Sequence, residues 1–184
     1  MTNDVSPFPA ARALLLAHGA DTLPHPGGTL LAHLDRVEHR LAAWGARPAL
    51  RLAGLCHAFY GTDGFAESLL PLDRRAELTA AIGEEAEHLV HFYASCDRDV
   101  SYPGLPDPAG PFRDRFTGET LVPSARRRAD FAEITAANEL DLAALDPEFR
   151  TRWGASLLRL LTGWRPLLTD AAFADVRAVL APRG

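Results

Sequence analysis

Two histidines have the spacing most suited to chemistry. His33 lies in HLDRV, within the apolar stripe of Leu30, Leu34 and Val37. His57 closes the run LAGLCH, four residues after Ala53 and seven after Leu50. At about 100° per residue, both rings fall on the core-facing side of their helices. A lone histidine on such a face is most often a satisfied core residue. Two of them on consecutive antiparallel helices can place two imidazoles in one pocket, to ligate a metal or to move protons.

Other residues could complete a site. His25, in PHPGG, precedes the His33 helix, and Gly27-Gly28 lets backbone approach a ligand closely. Tyr60 and Asp63 follow His57 in HAFYGTDG. Asn138 and Asp141, in AANELD, lie one helical turn apart, about 60° round the axis, and so can share a face. His33, His57 and Asp141 would make a two-histidine, one-carboxylate set suited to iron(II), with Asn138 as a further donor. Manganese or zinc are the other divalent ions expected at such a set. Without a metal, His57, Tyr60, His25 and Asp63 are the residues for general acid–base work. The plain alternative is that Asn138 and Asp141 only satisfy neighbouring polar groups.

Weaker signals surround these. His39 and His88 fall on solvated faces, and His91 reads as packing with Phe92 and Tyr93. Cys56 beside His57 makes no dyad, since helix neighbours diverge by about 100°. The ARRR run at 125–128 could meet an anionic group, as could Arg113 and Arg115, but such runs are usually solvated helix starts.

The elements that must position these residues are mostly helical. A first helix is expected from Pro9 to His18 and a second from a Thr29 cap to Gly45. Pro48 opens a third, running to about Tyr60. Two more follow in LDRRAELTAAIG and GEEAEHLVHFYASC, broken near Gly83. Residues 97–124 have loop chemistry, with FRDRFTGETLV forming a small hairpin that turns at Thr117-Gly118-Glu119. A loop of that length is usually functional or mobile. Helices at Ser124–Leu145, Pro147–Gly163 and Asp170–Leu180 complete the chain. The expected fold class is all-α, a single domain of seven or eight helices.

The bulk properties agree. The chain has 184 residues, 47% hydrophobic and 23% charged, with a formal net charge of −5. That suits one domain with a sizeable core. The absence of a basic stripe argues against nucleic acid. Two cysteines, Cys56 and Cys96, make no disulfide framework and suit a reducing cytoplasm. The apolar run near the N-terminus is too short to span a membrane, and no basic leader precedes it.

HLDRV and LAGLCH together resemble the opening of the HD superfamily of metal-dependent hydrolases. The nearest pattern is the hydrolase domain of guanosine tetraphosphate synthetase/hydrolase proteins. The His33–His57 spacing fits that domain, and IGEEAEHLV resembles its next helix. The resemblance covers roughly residues 24–145 and implies an HD-like bundle, followed by the helices at 147–181. It also implies metal-dependent hydrolysis of a phosphate or related ester. The family's paired aspartate is here Ala58, its distant aspartate is Asn138, and the acidic pair after the histidine is Gly61 and Thr62. Neutral donors would neutralise no metal charge. The motifs HPGGTLLAHL, HAFYGTDGF, DRFTGE and AANELD also resemble an uncharacterised bacterial and fungal family typified by HSxYGTE.

Three readings follow: a metal-dependent hydrolase or iron oxygenase, a metal-independent isomerase, lyase or cyclase, and a non-catalytic ligand-binding or interaction domain. The expected partner is a small-molecule substrate; the Trp153–Trp164 helix reads as core or as the face of a homodimer.

Overall fold

A computed structural model describes residues 6–65 and 67–182. Helix α1 spans Pro7–Ala17, with Pro7 in its first turn, where the missing N–H costs nothing. A two-residue antiparallel pair follows, β1 (Pro24–His25) against β2 (Gly28–Thr29). PHPGG, whose prolines and glycines read as a plain loop, is thus a minimal hairpin. Gly27 supplies the positive φ, +80°, that its turn requires. Thr29 then caps α2 (Leu30–Ala43), its hydroxyl accepting the Ala32 N–H.

Helix α3 runs from Pro48 to Cys56 and stops there, earlier than the expected Tyr60. His57 is its C-cap, and residues 57–60 form turns. Helices α4 (Arg75–Ile82) and α5 (Glu84–Ala94) break at Gly83, whose φ is +83°. In the long connection, Asp97 caps a single-turn helix α6 (Arg98–Ser101). The expected hairpin is present as β3 (Phe112–Arg113) and β4 (Thr120–Leu121), with Phe112 opposite Leu121. Helices α7 (Ala125–Leu145), α8 (Pro147–Gly163) and α9 (Asp170–Leu180) follow. The fold is all-α, with nine α-helices and two small hairpins among the described residues.

Helix α7 organises the bundle. It packs against α2, α3, α5, α8 and α9, and most of its length is buried. Such a helix must satisfy its polar residues internally. Asp130 takes both ends of the Arg47 guanidinium at 2.6 and 2.7 Å. Glu133 accepts the Thr169 backbone N–H at 3.0 Å, and Arg128 donates to the Asp107 carbonyl. One apolar core runs from Ala11 and Leu15 in α1 to Val176 and Leu180 in α9. Helices α2 and α3 meet closely at Gly54, where an added Cβ would lie 2.3 Å from Leu41 Cδ1. Among the described residues, no helix is long and apolar enough to cross a membrane.

Candidate functional site

The β1–β2 hairpin, α2, the end of α3, α5 and α7 converge on a cavity of about 350 Å³. His25, His33, His57, Tyr93, Asn138 and Glu139 are among the residues that line it. The helical spacing of His33 and the C-cap position of His57 turn both rings inward. Their centroids are 5.5 Å apart, edge to face. The hairpin lays His25 flat against His33, with centroids 4.1 Å apart.

His33 is held from both sides. Its Nδ1 lies 2.7 Å from Asp141 Oδ2, and its Nε2 lies 3.0 Å from Asn138 Oδ1. Since a carboxylate only accepts, the Nδ1 proton is donated to Asp141. As placed, the Asn138 oxygen suits a ring carrying both protons. With its amide turned, its N–H would instead meet the lone pair of a neutral ring. Arg36, one turn along α2 from His33, grips Asp141 through Nε at 2.7 Å and Nη2 at 2.9 Å. Burial pushes the Asp141 carboxyl up, but the hydrogen bonds from His33 and Arg36 outweigh it and hold it below its usual value.

His57 sits differently. Its Nδ1 donates to the Gly54 carbonyl at 2.7 Å, which leaves Nε2 with the lone pair. No carboxylate backs it. Burial, with the neighbouring His33 charge, pushes its pKa down to about 3. His25, half-buried, is lowered to about 4 by the same two causes in the same order. Both rings are therefore neutral near pH 7. Among the described residues the buried Tyr93 hydroxyl has no hydrogen bond of good geometry; burial pushes its pKa up to about 12, and a side-chain contact with Thr135 opposes that rise. Glu139 is buried as well, and desolvation raises its carboxyl pKa.

Of the residues singled out in the sequence, His25, His33, His57 and Asn138 line the cavity, and Asp141 stands directly behind His33. Tyr60 and Asp63 are not among the lining residues. Because α3 ends at Cys56, the chain turns Tyr60 away, and its hydroxyl donates to Glu87 Oε1 at 2.8 Å. Arg75 grips the same carboxylate, so Tyr60 belongs to a separate buried polar cluster. Asp63 is exposed and accepts the Arg98 backbone N–H at 2.9 Å, anchoring the start of α6. His39 and His88 are exposed, as expected.

Tyr93, Arg98 and Glu139 also line the cavity and were not singled out. Tyr93 reads as core from its apolar neighbours, and Arg98 lies in a loop-like stretch. Glu139 follows Asn138 directly, the one available signal.

The donor set does not fit a divalent ion as it stands. Both oxygens of the one carboxylate face a guanidinium, and both nitrogens of His33 already face side chains. Among the described residues, no group of three or more His, Cys, Asp and Glu side chains has a metal-holding arrangement. What the cavity offers is proton chemistry: one histidine backed by a carboxylate, one held neutral, and an amide between histidine and glutamate.

Residues 14–98 match the family described as Domain of unknown function (DUF6817). No curated protein and no solved structure matches the chain.

Proposed function

We propose that the cavity is the active site of a metal-independent enzyme that performs general acid–base chemistry on a small molecule, as an isomerase, lyase or cyclase. The observation that carries this reading is the chain Arg36–Asp141–His33–Asn138, which ends at the cavity wall. A carboxylate behind an imidazole fixes the tautomer and stabilises the imidazolium formed when the ring takes a proton. His33, oriented by Asp141, is thus the proton-transfer group once the Asn138 side chain swings off Nε2 and admits the substrate there. His57, kept neutral by burial, is a fixed hydrogen-bond acceptor for a substrate O–H or N–H. Asn138 can switch between accepting from and donating to His33 by turning its amide. The helical scaffold and the paired histidines are what this reading retains of the HD resemblance.

The test is deuterium wash-in. Protein freed of metal with a chelator is incubated in D2O with a panel of ketones, enones and acids bearing acidic C–H bonds, and proton NMR follows the exchange. The expected outcome is exchange on at least one compound, lost in His33→Ala and strongly reduced in Asp141→Asn. Exchange or hydrolysis that appears only on adding iron, manganese or zinc would favour the metal-dependent hydrolase or oxygenase reading. Ligand binding with no turnover under either condition would favour the binding-domain reading.

A further inference from the structure

A second hollow of about 470 Å³ adjoins the histidine cavity. The two share Arg98, Glu139 and Phe149 as lining residues. The second is lined mainly by carbon: Trp153, Leu157, Leu160 and the Tyr102 ring stand beside Phe149. Trp153 is 45% exposed, a large aromatic surface left open to solvent at this hollow.

The shared wall is rich in donors and poor in acceptors. The Arg98 side chain is 25% exposed, so its guanidinium is partly open to solvent, and it makes no side-chain hydrogen bond among the described residues. Its nearest carboxylate oxygen, Glu139 Oε1, is 3.7 Å away, beyond hydrogen-bond reach. The guanidinium packs over Gly64, where a Cβ would meet Nη1 at 2.8 Å. Two buried hydroxyls that make no hydrogen bond among the described residues stand nearby, Tyr93 on the cavity side and Tyr102 on the apolar side. Arg98 lies 5.7 Å from the Tyr102 ring centroid. Buried donors left unsatisfied cost stability and call for an acceptor.

We infer that the two hollows form one binding site for a monocarboxylate with an apolar arm, the carboxylate on Arg98 and the arm against Trp153, Leu157 and Leu160. A carboxylate supplies two coplanar oxygens to the guanidinium fork, with lone pairs left for a tyrosine hydroxyl. Among the described residues, one guanidinium is the only cationic side chain lining either hollow beside the histidines, and Glu139 opposes it. That balance suits a single negative charge better than a phosphate dianion. A substituent on the other side of the carboxylate, in the first cavity, then faces His33 and His57. Only that last step rests on the proposed acid–base function; recognition of the carboxylate and arm stands on binding alone.

The test uses binding rather than turnover. Phenylalkanoates and straight-chain alkanoates of increasing length, each paired with its neutral amide, are titrated at millimolar concentration by calorimetry and by Trp fluorescence. The expected result is that the best acid binds about tenfold or more tightly than its amide. Arg98→Gln should bring acid and amide within about twofold of each other, and Trp153→Ala should weaken both alike. Arg98→Lys, which keeps the charge without the fork, should retain part of the preference. Circular dichroism confirms that each variant is folded. Trp153→Ala, at an exposed position, remains informative if an Arg98 variant fails to fold. Equal binding of acid and amide, a preference that survives Arg98→Gln, or no binding by any acid would overturn the inference. Acid-selective binding without deuterium wash-in would overturn the acid–base function and leave this inference standing.

Discussion

His33 Nδ1 and Asp141 Oδ2 lie 2.7 Å apart across 108 residues of chain. Both side chains are almost fully buried, at 1% and 2% exposure. The pair joins α2 to α7 in the middle of the bundle, and Arg36 on the same α2 face closes it from the outside. The hydrogen-bonded pair is thus both a helix-to-helix staple and the carboxylate backing of His33.

Asp141→Asn should lower stability by about 3 kcal/mol, near the lower end for breaking a buried ion pair, because Arg36 can turn partly to water. Urea unfolding checks this. Leu142→Ala, its cavity-lining neighbour on the same helix, serves as a packing control. It should weaken packing without changing the His33 ring resonances that Asp141→Asn shifts.

Stability should fall as pH drops below neutrality, earlier than for a protein whose acid response is carried by carboxylates. His57 and His25 have folded pKa values of about 3 and 4, depressed from an ordinary 6.5. The unfolded chain therefore binds these protons first. Their contribution is full above about pH 6.5, declines as pH falls, and is lost once pH has passed through about 4 for His25 and 3 for His57. His57→Gln, which keeps an N–H for the Gly54 carbonyl, should flatten the decline by up to ~1.4 kcal/mol per pH unit within that window. Unfolding midpoints measured at several pH values between 7 and 4 would show it; an unchanged slope would mean that His57 is not kept neutral.

Tyr93→Phe removes a buried hydroxyl that has no well-formed hydrogen bond among the described residues. The unfolding free energy should stay within about 1 kcal/mol of the parent or rise, because no hydrogen bond is broken. Carboxylate binding should weaken in the same variant. A large loss of stability would show that the hydroxyl has a partner in solution.

Gly54→Ala should destabilise by about 2 kcal/mol through overpacking, since the new Cβ would be driven into Leu41. It should also separate His57 from His33, because the Gly54 carbonyl holds the His57 ring. Thermal unfolding gives the first effect and the histidine ring resonances give the second.

Much of this arrangement was legible in the sequence. Helical spacing placed His33 and His57 on inward faces, and the one-turn offset brought Asn138 and Asp141 to the same ring. What periodicity does not encode is where a charge goes after the helices pack. Arg36 is three residues from His33, close enough to share its face, yet only the approach of α7 shows that it takes both oxygens of Asp141. Tyr60 falls outside the cavity because α3 stops at Cys56, four residues before it, in a run that still looks helical. PHPGG reads as loop because two-residue strands carry no alternation to detect. Arg98 lay hidden in a segment whose composition shows only turns. Its role depends on which elements fold around it.

The long connection from 97 to 124 has a further consequence. Upstream of it lie His25, His33, His57 and Tyr93; downstream lie Asn138, Glu139 and Asp141. The family match ends at Arg98 and so spans only the upstream set. A single proteolytic cut in this connection would divide the protein into two pieces, each bearing an incomplete constellation. Mixing the pieces and watching ligand binding return would then make the cavity itself a reporter of fragment complementation.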